Sequence, residues 1–283
     1  MSLRLRNPHS VLAALKKRPQ DVSEIILPAQ ALQKAQSKGE AQAPADPGDA
    51  WAQVAQLAQK HRIPVRQNAQ TSKSTASPDA RSKAPHKGKP SSKSPPSSPS
   101  SSKEEGGRVG AAEAGVKERK SLSVEELFKG ARERKEGKGL WLALDCLQDP
   151  HNVGAIFRTA AFFGVEGILL TQERSAPLSS TVYDVASGGM EYVPFTLQIN
   201  LQRAFEVAKE AGLWILGTSE HAKDDLSAIQ RDRPWLLVLG NEEKGLRRLT
   251  EESCDLLCQI RPKGGVGSLN VSVAAGIAIS RLG

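Results

Sequence analysis

The sequence predicts an α/β protein whose larger part is built on a parallel sheet. Two observations carry this. Beyond about residue 120, short apolar runs alternate with segments whose apolar residues recur at helical spacing. The runs "LWLALDCL", "EGILLT", "LWILGT" and "WLLVLG" are also continuously apolar, as strands covered on both faces are, rather than alternating apolar with polar.

In chain order, residues 1–69 read as a small α/β domain. "NPHSVLAALKKRP" is a helix through Val11, Leu12 and Leu15, and "VSEIILP" is a strand. "AWAQVAQLAQKHR" carries a helical stripe at Trp51, Val54 and Leu57, and "IPVRQ" is a second strand. Residues 70–120 are rich in Ser, Pro, Lys and Gly, with too few apolar groups to offset the entropy of ordering. They are expected to be a disordered linker. Residues 121–283 form the second domain. It opens at "SLSVEELFKGAR", where Ser123 and Glu126 have capping-box spacing. Further helices are expected in "NVGAIFRTAAFFG", stopping at Gly164, in "NLQRAFEVAKEAG", in "LRRLTEESC" and in "SLNVSVAAGIAISRL", with a strand in "LLCQIRP".

Composition narrows the function. The formal net charge is +8 and the pI is about 9.4, which favours an anionic partner, nucleic acid before membrane. Every apolar run is far shorter than the roughly 20 residues of a membrane span. The N-terminus lacks the apolar core of a secretory signal, and its cluster Arg4, Arg6, Lys16, Lys17 and Arg18 reads as a basic helix or an organelle transit peptide. Cys146, Cys254 and Cys258 have no framework spacing, which suggests a reducing compartment. Cys254 and Cys258 would share a helix face, but without further ligands nearby a metal site is not expected. No G-x-G-x-x-G follows a strand, which argues against a dinucleotide site.

Chemistry is expected at the carboxyl ends of the strands, where parallel α/β sheets bind ligands. Three loops fall there. In "LDCLQDPHNVGAIFRTA", Asn152 stands near a helix start, as a cap or a functional amide. Arg158, six residues on, is a guanidinium in an otherwise apolar helix. In "LVLGNEEKGLRRL", Gly240, Asn241, Glu242 and Gly245 make a strand-to-helix turn. In "IRPKGGVGSLNVSVAAGI", three glycines precede Ser268, a candidate cap, and Asn270, which offers both a donor and an acceptor.

Together "DPHNVGAIFRTA", "LVLGNEEKGL" and "SLNVSVAAGI" resemble, in order and spacing, the three motifs of the SpoU/TrmH-type RNA ribose 2′-O-methyltransferases of the SPOUT superfamily. "SSTVYDVASGGMEYVPF" is similar to a stretch of the branch that methylates a guanosine ribose in large-subunit (23S) ribosomal RNA. Residues 7–67 more weakly resemble that branch's ribosomal-protein-like RNA-binding domain, without its final strand region, whose place the linker takes.

The resemblance implies a SPOUT fold, its parallel sheet ending in a deep trefoil knot, and a homodimer with the site near the subunit interface. It implies S-adenosylmethionine as cofactor, lined by Thr218, Gly240, Ile260, Leu269 and Asn270, with no metal. Arg158 would act at the target ribose, positioned by Asn152, with Glu242, Ser268 and Asn270 around it. A free guanidinium holds its proton to above about pH 12 and is a poor base, so orienting a phosphate and stabilising the developing alkoxide is the preferred role. Ribosomal RNA is the expected substrate and bacterial cytoplasm the expected setting, with a mitochondrion or other organelle as the alternative. A tRNA ribose methyltransferase and an RNA-binding protein that has lost catalysis are the competing readings.

Overall fold

The computed structural model of the chain describes residues 2–29, 31–33, 47–68, 112–133 and 139–283. Most of the expected linker, up to residue 111, lies outside the described residues. The N-terminal domain holds β1 (Ser2–Leu5), α1 (Pro8–Lys17), β2 (Val22–Leu27), α2 (Pro47–Lys60), β3 (Val65–Gln67) and β4 (Glu113–Lys117). Its sheet order is β1-β4-β2-β3, with β4 antiparallel to both neighbours and β2 parallel to β3.

Strand β4 corrects two expectations. The linker does not extend to residue 120, and the small domain does have a final strand, supplied from beyond it. The segment "EAGVK" has only two apolar side chains, Ala114 and Val116, and both are fully buried. Its strand character comes from pairing with Val22–Ile26, about 90 residues earlier in the chain, and a one-dimensional pattern carries little of that.

The C-terminal domain runs α3 (Val124–Leu127), β5 (Leu140–Leu144), α4 (Pro150–Phe163), β6 (Gly167–Thr171), α5 (Ser180–Val185), α6 (Gly189–Tyr192), β7 (Phe195–Gln198), α7 (Leu201–Glu210), β8 (Trp214–Thr218), β9 (Asp224–Asp225), β10 (Trp235–Leu239), α8 (Arg248–Glu252), β11 (Leu256–Gln259) and α9 (Val271–Leu282). The expected parallel sheet is present, with seven strands in the order β7-β6-β5-β10-β8-β11-β9, each pair parallel. Strands β5, β6 and β10 are buried along their whole length, which is why they read as unbroken apolar runs. The capping box at Ser123 and Glu126 forms, although α3 is a single turn.

Side chains alternate across the strands and divide the core in two. Leu140, Leu142 and Leu144 join the layer of α4 and α9, while Trp141 and Ala143 join that of α7. On α4 the buried residues Val153, Ile156, Phe157 and Ala160 follow the i, i+3, i+4, i+7 stripe of a core-facing helix. On α9, Ala275, Ala278, Ile279 and Leu282 repeat it. The first of these two clusters continues into the N-terminal domain through Leu5, Val11 and Leu15. Cys254 follows α8 and Cys258 lies in β11, so the expected shared helix face does not exist. Among the described residues no helix is long and apolar enough to cross a membrane.

Candidate active site

Because β5, β10, β8 and β11 are adjacent and parallel, the segments after them emerge on one edge of the sheet. The first leads into α4, whose start is set by Asp149. Its carboxylate accepts from the N–H of His151, and Pro150 stands in the first turn, where its missing N–H costs nothing. Asn152 is therefore not the cap, and its side chain is free for other work.

That work is a polar bridge between all three loops. The Asn152 Nδ2 donates to Glu242 Oε1 at 3.2 Å, and the Asn152 Oδ1 accepts from Asn270 Nδ2 at 3.0 Å. Glu242 also accepts from the backbone N–H groups of Gln148 and Asp149, both at 3.2 Å. Burial disfavours the charge on Glu242. Hydrogen bonds from its own backbone, from Asn152 and from these two N–H groups outweigh that and hold its carboxyl below the ordinary value. Asn270 caps α9, its Oδ1 accepting from the N–H of Ser272 at 2.9 Å, so the cap expected at Ser268 lies two residues later. Ser268 itself is exposed.

The loop after β10 is shaped from within. Asn241 and Gly245 exchange backbone hydrogen bonds at 2.9 and 3.0 Å, and Gly245 has φ of +67°. The Asn241 side chain accepts from the N–H groups of Glu243 and Lys244 and donates to the carbonyl of Cys146 at 2.8 Å. A Cβ at Gly240 would lie 2.2 Å from the carbonyl carbon of Gly245 and 2.4 Å from the N of Leu246. Its glycine is required by the loop's own backbone, before any ligand is considered.

Two residues that sequence reasoning missed anchor this loop. Asp145, fully buried at the end of β5, accepts from Arg247 Nε at 2.7 Å and from the Arg247 N–H at 3.2 Å. The one legible signal was an acid inside the apolar run "LWLALDCL"; nothing marked Arg247. Cys146, next in the chain, adopts φ of +60°, uncommon for a residue with a side chain.

Arg158 is not brought to this bridge. Six residues along a helix turn it about 120° away from Asn152 and move it about 9 Å along the axis. It is exposed. One turn beyond stands Phe162, 83% exposed. Val273 and Ile277, at i and i+4 on the neighbouring α9, are exposed apolar side chains too, as is Leu269 in the loop before it.

Of the remaining expected residues, Thr218 ends β8 and donates its hydroxyl to the carbonyl of Val238 at 3.0 Å. Ile260 follows β11, half-buried against the core. Residues 261–270 are all exposed, and a Cβ at Gly264, Gly265 or Gly267 would meet nothing within 4 Å. The strand ends thus carry backbone groups and the half-buried Ile260 beside an exposed loop. The cavity of about 470 Å³ bounded by Trp141, Glu166 and Pro194 lies at the opposite ends of the strands and takes no part in this site.

Comparisons with known proteins agree with this layout. The model of the SpoU rRNA Methylase family matches residues 139–280, half of the chain. A 23S rRNA (guanosine-2′-O-)-methyltransferase RlmB of Nitrosomonas europaea is 45% identical over 164 residues, 58% of this chain and 62% of that protein. Its counterpart in Pseudomonas aeruginosa is 43% identical over 155 residues, 55% of this chain and 62% of that protein. The matched part thus spans about three fifths of these relatives. The solved structure of the SpoU methyltransferase AviRb from Streptomyces viridochromogenes covers 99% of this chain and 88% of its own, with a TM-score of 0.67 at 17% identity, a likeness of fold. An AdoMet-bound rRNA methyltransferase from Sinorhizobium meliloti covers 99% and 86%, with a TM-score of 0.65 at 18% identity. With its three motif loops joined at one sheet edge and half its length matched, the chain belongs to the SpoU rRNA methylase family.

Proposed function

We propose that the chain transfers a methyl group from S-adenosylmethionine to the 2′-hydroxyl of a guanosine ribose in large-subunit ribosomal RNA. The observation that carries this is the bridge from Glu242 through Asn152 to Asn270, which joins the three motif loops at the strand ends. The names of the bacterial relatives support the choice of ribosomal RNA over tRNA and accord with a cytoplasmic setting.

In this reading Thr218, Gly240, Ile260, Leu269 and Asn270 hold the cofactor, which supplies an electrophilic methyl group on sulfonium sulfur. Backbone groups at the strand ends suit its polar atoms. Leu269, half exposed, suits its adenine. Glu242 and Asn152 keep the loops in register, and Ser268 and Asn270 face the ribose. Methyl transfer of this kind is an in-line displacement, governed by alignment more than by proton transfer. An exposed guanidinium suits a phosphate of the incoming RNA, with its fork orienting the ribose and its charge stabilising the developing alkoxide. The exposed apolar side chains of Phe162, Val273 and Ile277 near Arg158 support a homodimer in which two copies cover this face and complete the site. The trefoil-knotted path belongs to the same reading.

Mapping 2′-O-methylated riboses in ribosomal RNA from cells with and without the protein tests it. One large-subunit guanosine should lose its methyl group. Loss of a tRNA ribose methyl group instead would favour the tRNA reading, and unchanged maps would overturn the proposal.

A further inference from the structure

The segment 180–193, containing α5 and α6, is the part of the C-terminal domain that faces the N-terminal one. From the N-terminal side, Arg18 donates to Glu191 through Nε at 2.8 Å and Nη2 at 2.7 Å, a two-pronged pair in which the residues are 8% and 6% exposed. The backbone N–H groups of Arg6 and Asn7 donate to the Asp184 carboxylate at 3.0 and 2.9 Å. From beyond β4, Arg119 Nη1 donates to the carbonyl of Val193 at 2.7 Å.

On the other side the same segment presses on α4. A Cβ at Gly154 would lie 2.7 Å from Val185 Cβ. The adjacent glycines 188 and 189 face opposite ways. A Cβ at Gly188 would meet Ala13 of α1 at 2.9 Å, and one at Gly189 would meet the Phe157 carbonyl oxygen at 2.6 Å and the Arg158 N at 2.9 Å. One dipeptide thus packs against the N-terminal domain and, one residue later, against the backbone at Arg158.

We propose that this segment is a clamp through which the N-terminal domain sets the position of Arg158, making Arg18 and Glu191 positioning residues for methyl transfer. The proposal rests on the function given above for Arg158. A two-pronged, desolvated Arg–carboxylate pair fixes orientation as well as distance. Arg158 gains by this because it stands exposed on its helix, and among the described residues no side-chain partner holds it. A misplacement of about 1 Å is enough to cost on the order of 100-fold in rate.

The test uses the full chain as wild type, Arg18→Met, Arg18→Lys and Glu191→Gln. Two quantities are read: amide hydrogen exchange at residues 155–162, and single-turnover methyl transfer to ribosomal RNA alongside S-adenosylmethionine affinity. We expect exchange in α4 to quicken about fivefold or more in each variant while β8 and β10 are unchanged. Transfer should slow about 10- to 100-fold with cofactor affinity unaltered. Lys keeps the charge but not the fork, so Arg18→Lys should not rescue. Glu191→Gln preserves side-chain size and serves if Arg18→Met fails to fold. Unchanged α4 exchange, faster exchange everywhere, or full activity in Arg18→Lys would overturn the clamp. A wild-type protein that transfers no methyl group would instead defeat the proposed function, leaving the exchange data to decide the clamp.

Discussion

Two glycine-bearing loops stand at the same sheet edge, after β10 and β11, and their glycines are there for different reasons. In residues 240–247 the chain crowds itself. Gly240 has no room for a Cβ, Gly245 needs a left-handed backbone, and Asp145 pins the loop's far end through Arg247. In residues 261–270 nothing approaches Gly264, Gly265 or Gly267, and every side chain is exposed. The first loop is finished by the protein alone. The second leaves space that the fold does not use, which is what a loop closing on a ligand needs. A glycine pattern in a sequence does not distinguish these cases; the contacts of the missing Cβ do.

The largest effect should come from filling the crowded loop. Gly240→Val puts a Cβ into the backbone of Gly245 and Leu246, with no flexible side chain to yield. We predict a loss of about 3 kcal/mol or more in denaturant unfolding, at the top of the usual overpacking range, together with loss of S-adenosylmethionine binding. Near-wild-type stability would show that the loop's tight turn is not required.

Next is the anchor, where an asymmetry is expected. Arg247→Met leaves Asp145 buried without its guanidinium, a situation that costs about 3 kcal/mol in comparable sites. Asp145→Asn leaves only an arginine whose side chain is 42% exposed and can turn to water, so it should cost clearly less. Equal losses in the two unfolding curves would contradict this account of the pair.

A smaller effect is expected from pH. The folded state holds the Glu242 carboxyl below its ordinary value, so its hydrogen bonds contribute stability that is present above the unfolded carboxyl's pKa of about 4.3 and is lost as pH falls through the lower folded value. Thermal melts of wild type and Glu242→Gln should therefore differ most at neutral pH and converge in acid. A difference that grows on acidification would reverse the assigned sign.

The smallest effect on stability belongs to the open loop. Gly265→Ala should shift unfolding by no more than about 0.5 kcal/mol, as for an unobstructed surface site, while weakening S-adenosylmethionine in a titration. Unchanged cofactor affinity would place this loop away from the ligand.

These contrasts bear on what was readable in the sequence. The parallel sheet was legible because β5, β6 and β10 are buried on both faces and so have no polar positions to confuse the pattern. The C-terminal end of α4 was legible because Gly164 acts locally; its start, expected near Asn152, lies two residues earlier at Pro150, behind the Asp149 cap. Strand β4 was not, since its partners lie across the chain and its flanks are charged. Within the site, Asn152, Glu242 and Asn270 were named from motifs, but their mutual bridge was not, because it depends on strand order. Asp145 and Arg247 are an ordinary acid and base until the fold makes them neighbours. The pairing of Arg18 with Glu191 is of the same kind.

The central claim is that Arg158 acts at the ribose of an RNA substrate, and single-turnover methyl transfer to large-subunit ribosomal RNA tests it most directly. Wild type, Arg158→Ala and Arg158→Lys should be compared from about pH 7 to 10, the range in which a lysine amine begins to lose its proton. Arg158→Ala should lose on the order of 100-fold or more, and Arg158→Lys nearly as much at every pH, because the planar fork is what orients the substrate. Activity in Arg158→Lys that climbs with pH would assign the residue a proton-accepting role instead. Wild-type rates from Arg158→Ala would contradict the account.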